Sequence, residues 1–229
     1  MKLSHYDLDS PLTFDGQSIN VLVIENQKLM THFIKDLISQ SNGMGGGFVL
    51  SEKNESLSAA GKVVVITEPF SLNMNERNIL NRVYIQMKHD ALDEELYMAT
   101  NSILSEIEKH VDRLLLNQSV PMESNPPDIL NLIKLMNIQF TIPETMLELL
   151  CDYLDICSEH LMTKLFVFVN LKSFVDEQEL KDLYNHILYR KYNVLMIENK
   201  QYRTLDHEII RIIDKDACEF QISGADDIY

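Results

Sequence analysis

The chain has 229 residues, with 35 Asp and Glu against 20 Lys and Arg, giving a formal charge of −15. Hydrophobic residues make up 45% and charged residues 24%, a composition that folds around a core, and no run approaches the roughly 18 apolar residues of a membrane span. The acidic excess repels nucleic acid at long range, so binding of that kind would need a local basic surface, a cation, or both.

In chain order, residues 1–14 carry no apolar stretch behind a basic segment, so no signal peptide is expected. A short strand is expected over 3–8. The run VLVI at 21–24 is β-branched and unbroken, and a helical pattern follows over 28–41. Residues 43–47 (GMGGG) have the glycines of a phosphate loop but not its Gly-Lys-Ser/Thr ending, and they follow a helix rather than open one, so they read as a flexible loop. A strand is expected over 48–51, although the Gly and Ser content of 42–60 also suits a mobile loop or a segment that folds on a partner. VVVI at 63–66 is the second buried-strand run.

From 75 to 117 the apolar residues recur every three or four positions, which predicts two helices with a break near His89, capped around Asp90 and Asp93. The string Asn125-Pro126-Pro127-Asp128 reads as the start of a helix over 128–137, with Asn as cap and Asp at the positive end. A helix over 144–161 follows. LFVFV at 165–169, a helix over 176–191 and VLMI at 194–197 complete the alternation, with a last short strand over 217–222. Runs apolar on both faces belong to a parallel sheet. The predicted fold is therefore α/β, with a mostly parallel sheet. Its head comprises 1–74 and 162–229, and 75–161 form an inserted, mainly helical lobe that packs partly on the head.

Little of the chain suggests chemistry. The seven histidines lack zinc-protease spacing, and Asp206-His207-Glu208 reads as a solvated stretch. Asp152, Asp155 and Glu159 share a helical face, which is either the wet side of that helix or an oxygen set for a hard cation. Cys151, Cys157 and Cys218 have no metal spacing and read as reduced, intracellular thiols, the first two buried. The eleven methionines, Met87, Met98, Met146 and Met162 among them, read mainly as core filling. No nucleophile with a positioned base is visible, so the chain is not expected to be an enzyme.

Several blocks together resemble one family. NVLVIEN (20–26), DILNLIKLMNI (128–138), ETMLEL (144–149), TKLFVFVN (163–170) and NVLMIEN (193–199), with Tyr202 close behind, match in order and spacing the CRISPR-associated DNA-end-binding adaptation protein of type II-A systems. The resemblance covers most of the chain and rests on collinear apolar blocks. It implies a degenerate ATPase-like head with a helical leg, and a cytoplasmic homotetrameric ring that threads double-stranded DNA ends during spacer acquisition. It also implies calcium as cofactor, the CRISPR integrase and the type II effector nuclease as partners, and no catalysis. Lys134 and Lys164 fall in the matched blocks and are the first candidates for DNA contact, with Lys53, Lys62 and Arg203 behind them. Relatives carry an acidic run before the helix that starts here near 128. Here only Glu123, Asn125 and Asp128 offer ligand oxygens, and Asn125 and Asp128 have an alternative role as cap and first-turn acid.

Two other readings stand beside this one. A degenerate nucleotide-binding enzyme would use the carboxylates that follow strands, Glu25 and Glu198. An acidic interaction scaffold without DNA contact would account for the net charge alone.

Overall fold

The computed structural model describes residues 1–222. The chain divides into two compact units, one built from Met1–Leu72 together with the chain from Pro143 on, the other from Asn73–Ile142.

The first unit is built on a six-stranded sheet. Its strands, in chain order, are β3 (Ile19–Ile24), β6 (Val63–Ile66), β7 (Leu165–Val169), β8 (Val194–Glu198), β9 (Glu208–Ile213) and β10 (Glu219–Ile222). Their order across the sheet is β10-β9-β3-β8-β7-β6, parallel throughout except for the antiparallel edge strand β10. The sheet is buried on both faces because its central strands are apolar at nearly every position, and the period of two sends alternate side chains to different layers. On one face Ile19, Val21, Val23, Phe166 and Phe168 meet helices α5 (Met146–His160) and α6 (Glu177–Arg190) through Leu150, Leu154, Leu183 and Ile187. On the other, Leu22, Ile24, Val167 and Leu195 meet helix α1 (Gln27–Ser41) through Met30, Phe33 and Leu37.

That second layer also holds a small antiparallel sheet of β1 (Lys2–Ser4), β2 (Leu12–Thr13), β4 (Val49–Glu52) and β5 (Glu55–Leu57), in the order β2-β1-β4-β5. Residues 42–60 are therefore an ordered part of the fold, not a loose loop. Asp36 accepts the Gly47 N–H (2.6 Å), while Gln40 brackets Phe48, accepting its N–H (2.9 Å) and donating to its carbonyl (2.7 Å). A Cβ on Gly46 would run into the Gln40 side chain at 2.6 Å, so glycine there is a matter of space. The two-residue turn Lys53-Asn54, with both φ positive, closes the β4–β5 hairpin.

Helix α5, expected in the helical lobe, belongs to the first unit, because its buried Leu150, Leu154 and Cys157 pack into the sheet core. Nor is the stripe of Asp152, Asp155 and Glu159 simply a wet face. Asp155 turns to α6 and takes hydrogen bonds from Arg190 (2.7 Å) and Tyr192 (2.7 Å), with His186 Nε2 at 2.8 Å. Burial pushes its carboxyl up, but the Tyr192 and His186 bonds and the Arg190 charge outweigh this and hold it below the usual carboxylate range.

The second unit contains helices α2 (Arg77–Ala91), α3 (Tyr97–Leu115) and α4 (Ile129–Leu135). The break falls at 92–96 rather than at His89, and Asp93 stabilises it by accepting the Glu95 and Leu96 N–H groups. α4 is capped by Asp128, which accepts the Asn131 N–H (3.2 Å); Asn125, the expected cap, lies outside the helix and exposed. Tyr84 on α2 donates to the Ile138 carbonyl (2.7 Å), and Asn75 exchanges two hydrogen bonds with the Phe140 backbone. Of the nineteen residues of α3, Thr100 alone is buried, and Ile103 and Leu114 stand exposed. The methionines are also less internal than expected: Met98 is 77% and Met162 73% exposed.

Candidate functional site

In an open α/β sheet, ligands bind at the carboxyl ends of the strands, where a glycine-rich turn opens a helix onto a phosphate. Here that place, between β3 and α1, holds Glu25 and Asn26. The Asn26 side chain accepts the N–H groups of Lys28 and Leu29, both at 3.1 Å, and donates to the Lys215 carbonyl (3.0 Å). The helix amides that would hold a phosphate are thus already satisfied by the chain itself. The 43–47 glycines sit at the other end of α1. Asn26→Ala should cost about 1 kcal/mol of stability, read as a fall in Tm of about 2–4 °C, and the freed amides should still give no stabilisation by ATP.

Glu198, at the carboxyl end of β8, is fully buried and part of a polar cluster. One of its oxygens accepts the Lys172 N–H (3.1 Å); the other has no partner. The Lys172 ammonium reaches Glu208, which also accepts from Tyr184 (2.6 Å) and from the Leu205 N–H (3.1 Å). Burial, only partly offset by the Lys172 N–H and charge, pushes the Glu198 carboxyl up to about 7. The adjoining cavity, between Lys172, Asp176, Tyr202 and Arg203, measures about 170 Å³, below the roughly 300 Å³ at which ligand pockets begin.

Some of the expected basic residues stand at the opposite end of the sheet. The neighbouring strands β6 and β7 are each entered directly from a lysine, Lys62 and Lys164, and Lys191 caps the end of α6 three residues before β8. The Lys164 N–H donates to the Lys62 carbonyl (2.8 Å), and the Asn193 side chain donates to the Lys164 carbonyl (3.0 Å), so the backbone spacing of the row is fixed. Lys164 and Lys191 are exposed and Lys62 is half-buried. Lys53 stands at the tip of the β4–β5 hairpin, next to Glu52, whose carboxylate lies 3.6 Å from the Lys164 ammonium. In the sequence Lys191 is one basic residue among many. Its place in this row depends on strand order, which no local motif encodes.

Of the other expected contacts, Arg203 is at the far end of the head, 81% exposed and paired with Glu177 at the start of α6 (3.2 Å). Lys134 lies exposed on α4 of the second unit. The expected calcium residues are an incomplete set. Glu123 and Asn125 are exposed on an extended stretch, and Asp128 is already used as helix cap and as the partner of Lys88 (3.4 Å). Among the described residues, neither Glu123 nor Asp128 belongs to a group of three His, Cys, Asp or Glu close enough to share an ion. Calcium, which takes six to eight oxygens, would have to displace Lys88 and draw further ligands from elsewhere.

Fold and site together define a parallel-sheet α/β protein with a helical insertion, no phosphate cradle at its switch point, and a basic row at the amino edge of its sheet. Residues 40–217 match the family model described as CRISPR-associated protein (Cas_Csn2), and the chain belongs to that family, whose role is in CRISPR adaptation. A search of solved structures returned an ABC transporter ATP-binding protein from Pyrococcus furiosus at 10% identity and a TM-score of 0.37, covering 92% of this chain and 97% of that one. Among the described residues no helix is long and apolar enough to cross a membrane.

Proposed function

We propose that this protein binds the ends of double-stranded DNA without regard to sequence and without catalysis, as a homotetrameric ring acting in spacer acquisition beside the CRISPR integrase and the type II effector nuclease. The observation that carries the reading, beyond family membership, is the row Lys62, Lys164, Lys191 with Lys53 beside it. Adjacent strands lie about 4.8 Å apart, so Lys62 and Lys164 start from neighbouring backbone positions, and a phosphate would compete with Glu52 for the Lys164 ammonium, in a chain whose overall charge would repel one. Contacts of this kind position DNA but read no bases. The exposed apolar stripe of α3 supports self-assembly, because a helix face of this kind is normally covered.

The test compares linear duplex with the same duplex closed into a circle, at low salt, with calcium or with chelator, alongside light scattering for assembly mass. Binding of the linear form alone, by a tetramer, is the expected result. Loss of binding with chelator would bring Glu123, Asn125 and Asp128 forward as a calcium site; indifference would leave Asp128 a cap. No binding of either form would overturn the proposal in favour of the acidic scaffold. Replacing Lys62, Lys164 and Lys191 together by Ala should weaken binding equally across sequences. It should also flatten the salt dependence by about one power of salt concentration for each phosphate no longer neutralised. Arg203→Ala, at the far end of the head, should change neither.

A further inference from the structure

His5, Asp7 and His32 each bring one ligand atom to within 4.8 Å of the other two, the one group of three metal-ligating residues so placed among the described residues. We propose that these side chains bind a divalent transition ion of the zinc class, which pins the segment after β1 onto helix α1.

The donor set has the right chemistry. Two imidazoles and a carboxylate suit zinc and its neighbours, whereas calcium prefers oxygen alone. One pair is spaced close to what such an ion needs, and His32 must close in from within 4.8 Å. The His5 Nδ1 and an Asp7 carboxylate oxygen are 3.6 Å apart, and two ligands of a tetrahedral zinc stand about 3.3 Å apart. The Asp7 N–H donates to His5 Nδ1 (3.2 Å), which puts the lone pair on that nitrogen and the proton on Nε2; an ion at Nδ1 takes the place of this one hydrogen bond.

The surroundings supply part of the pattern. Metal-binding histidines are held through their second nitrogen by a carboxylate or a polar group. Here Asp36 places one carboxylate oxygen 3.7 Å from His5 Nε2 and 3.9 Å from His32 Nε2, and the Tyr6 hydroxyl lies 2.6 Å from His32 Nε2. The His5 side chain is wholly buried against Phe33 and Phe48, and its Nε2 makes no hydrogen bond. A buried imidazole left unpaired is costly. Asp7 and His32 are partly exposed, so an ion has a path in.

The test is a zinc titration of the untagged, metal-stripped full chain by calorimetry, with thermal melts beside it. The wild-type chain should bind one zinc per chain and melt several degrees higher with it. His32→Ala and Asp7→Asn alter partly exposed positions and should leave the metal-free melt close to wild type, while weakening zinc binding at least about tenfold. Cys218→Ser should bind as wild type does. Zinc binding unchanged in both His32→Ala and Asp7→Asn would overturn the proposal, as would no binding at micromolar zinc. A response to calcium lost in Asp7→Asn but kept in His32→Ala would overturn the transition-metal assignment.

Discussion

Lys172→Ala should destabilise the protein by about 3–5 kcal/mol, the cost of removing one partner of a buried ion pair and leaving the other charged. For a chain of this size, that is a fall in Tm of about 6–20 °C. Lys172 and Glu208 are both almost wholly enclosed, and among the described residues the ammonium is the one full positive charge on a carboxylate that otherwise holds only the Tyr184 hydroxyl and the Leu205 N–H. Urea unfolding followed by far-ultraviolet circular dichroism measures the loss. Removing both charges, as Lys172→Met with Glu208→Gln, should recover most of it, since an apolar or neutral replacement of a buried pair is often near neutral. A Lys172→Ala variant within about 1 kcal/mol of wild type would show that water reaches Glu208 and that the cluster is not sealed.

The second large effect depends on pH. In the folded chain the Glu198 carboxyl is pushed up to about 7 by burial, against about 4.3 when unfolded. Below the unfolded value both states hold the proton, and the full stability of this site is present. As the pH rises from about 4.3 to about 7 the unfolded chain gives up its proton first, so stability falls by about 3–4 kcal/mol. Above the folded value the loss is complete. Glu198→Gln has no proton to lose, so its advantage over wild type should grow across this window and then level off. Urea midpoints of both proteins at half-unit steps across the window check it, and a constant difference would refute it. Asp155 acts in the opposite sense. Held below the usual range by Tyr192, His186 and Arg190, it adds stability that is lost only as the pH falls through its lowered value.

The same residues show what is legible in the sequence and what is not. The runs at 21–24, 63–66, 165–169 and 194–197 lie in β3, β6, β7 and β8, because strands buried on both faces must be apolar throughout. β9 escapes the same reading because Glu208 and Arg211 interrupt its apolar pattern. Both are buried, and each is compensated by partners away from it in the chain: Lys172 for Glu208, and Glu219 with the Ser10 and Pro11 carbonyls for Arg211. Compensation of that kind leaves no local signal. The polar triplet at 206–208 reads as solvated for the same reason. Lys62 and Lys164 are candidates already in the sequence, but their adjacency and the meeting of His5, Asp7 and His32 are invisible there, since strand order and the packing of β1 beside α1 bring them together. Asn26, by contrast, is legible in principle: an Asn directly before a helical pattern is a cap.

The order in which this chain leaves the ribosome has a consequence for how it reaches its native state. β3 lies in the middle of the sheet, yet its neighbours β8 and β9 are among the last segments made; Ile19 pairs with Glu208, and Val63 waits for Leu165 across the whole helical insertion. Until then an almost wholly apolar strand has no partner on either edge. Such long-range pairings form slowly and leave nascent chains open to aggregation. The helical unit, complete once residue 142 is made, can fold during that delay. Yield in the cell should therefore depend on how quickly translation carries the chain from β3 to β9.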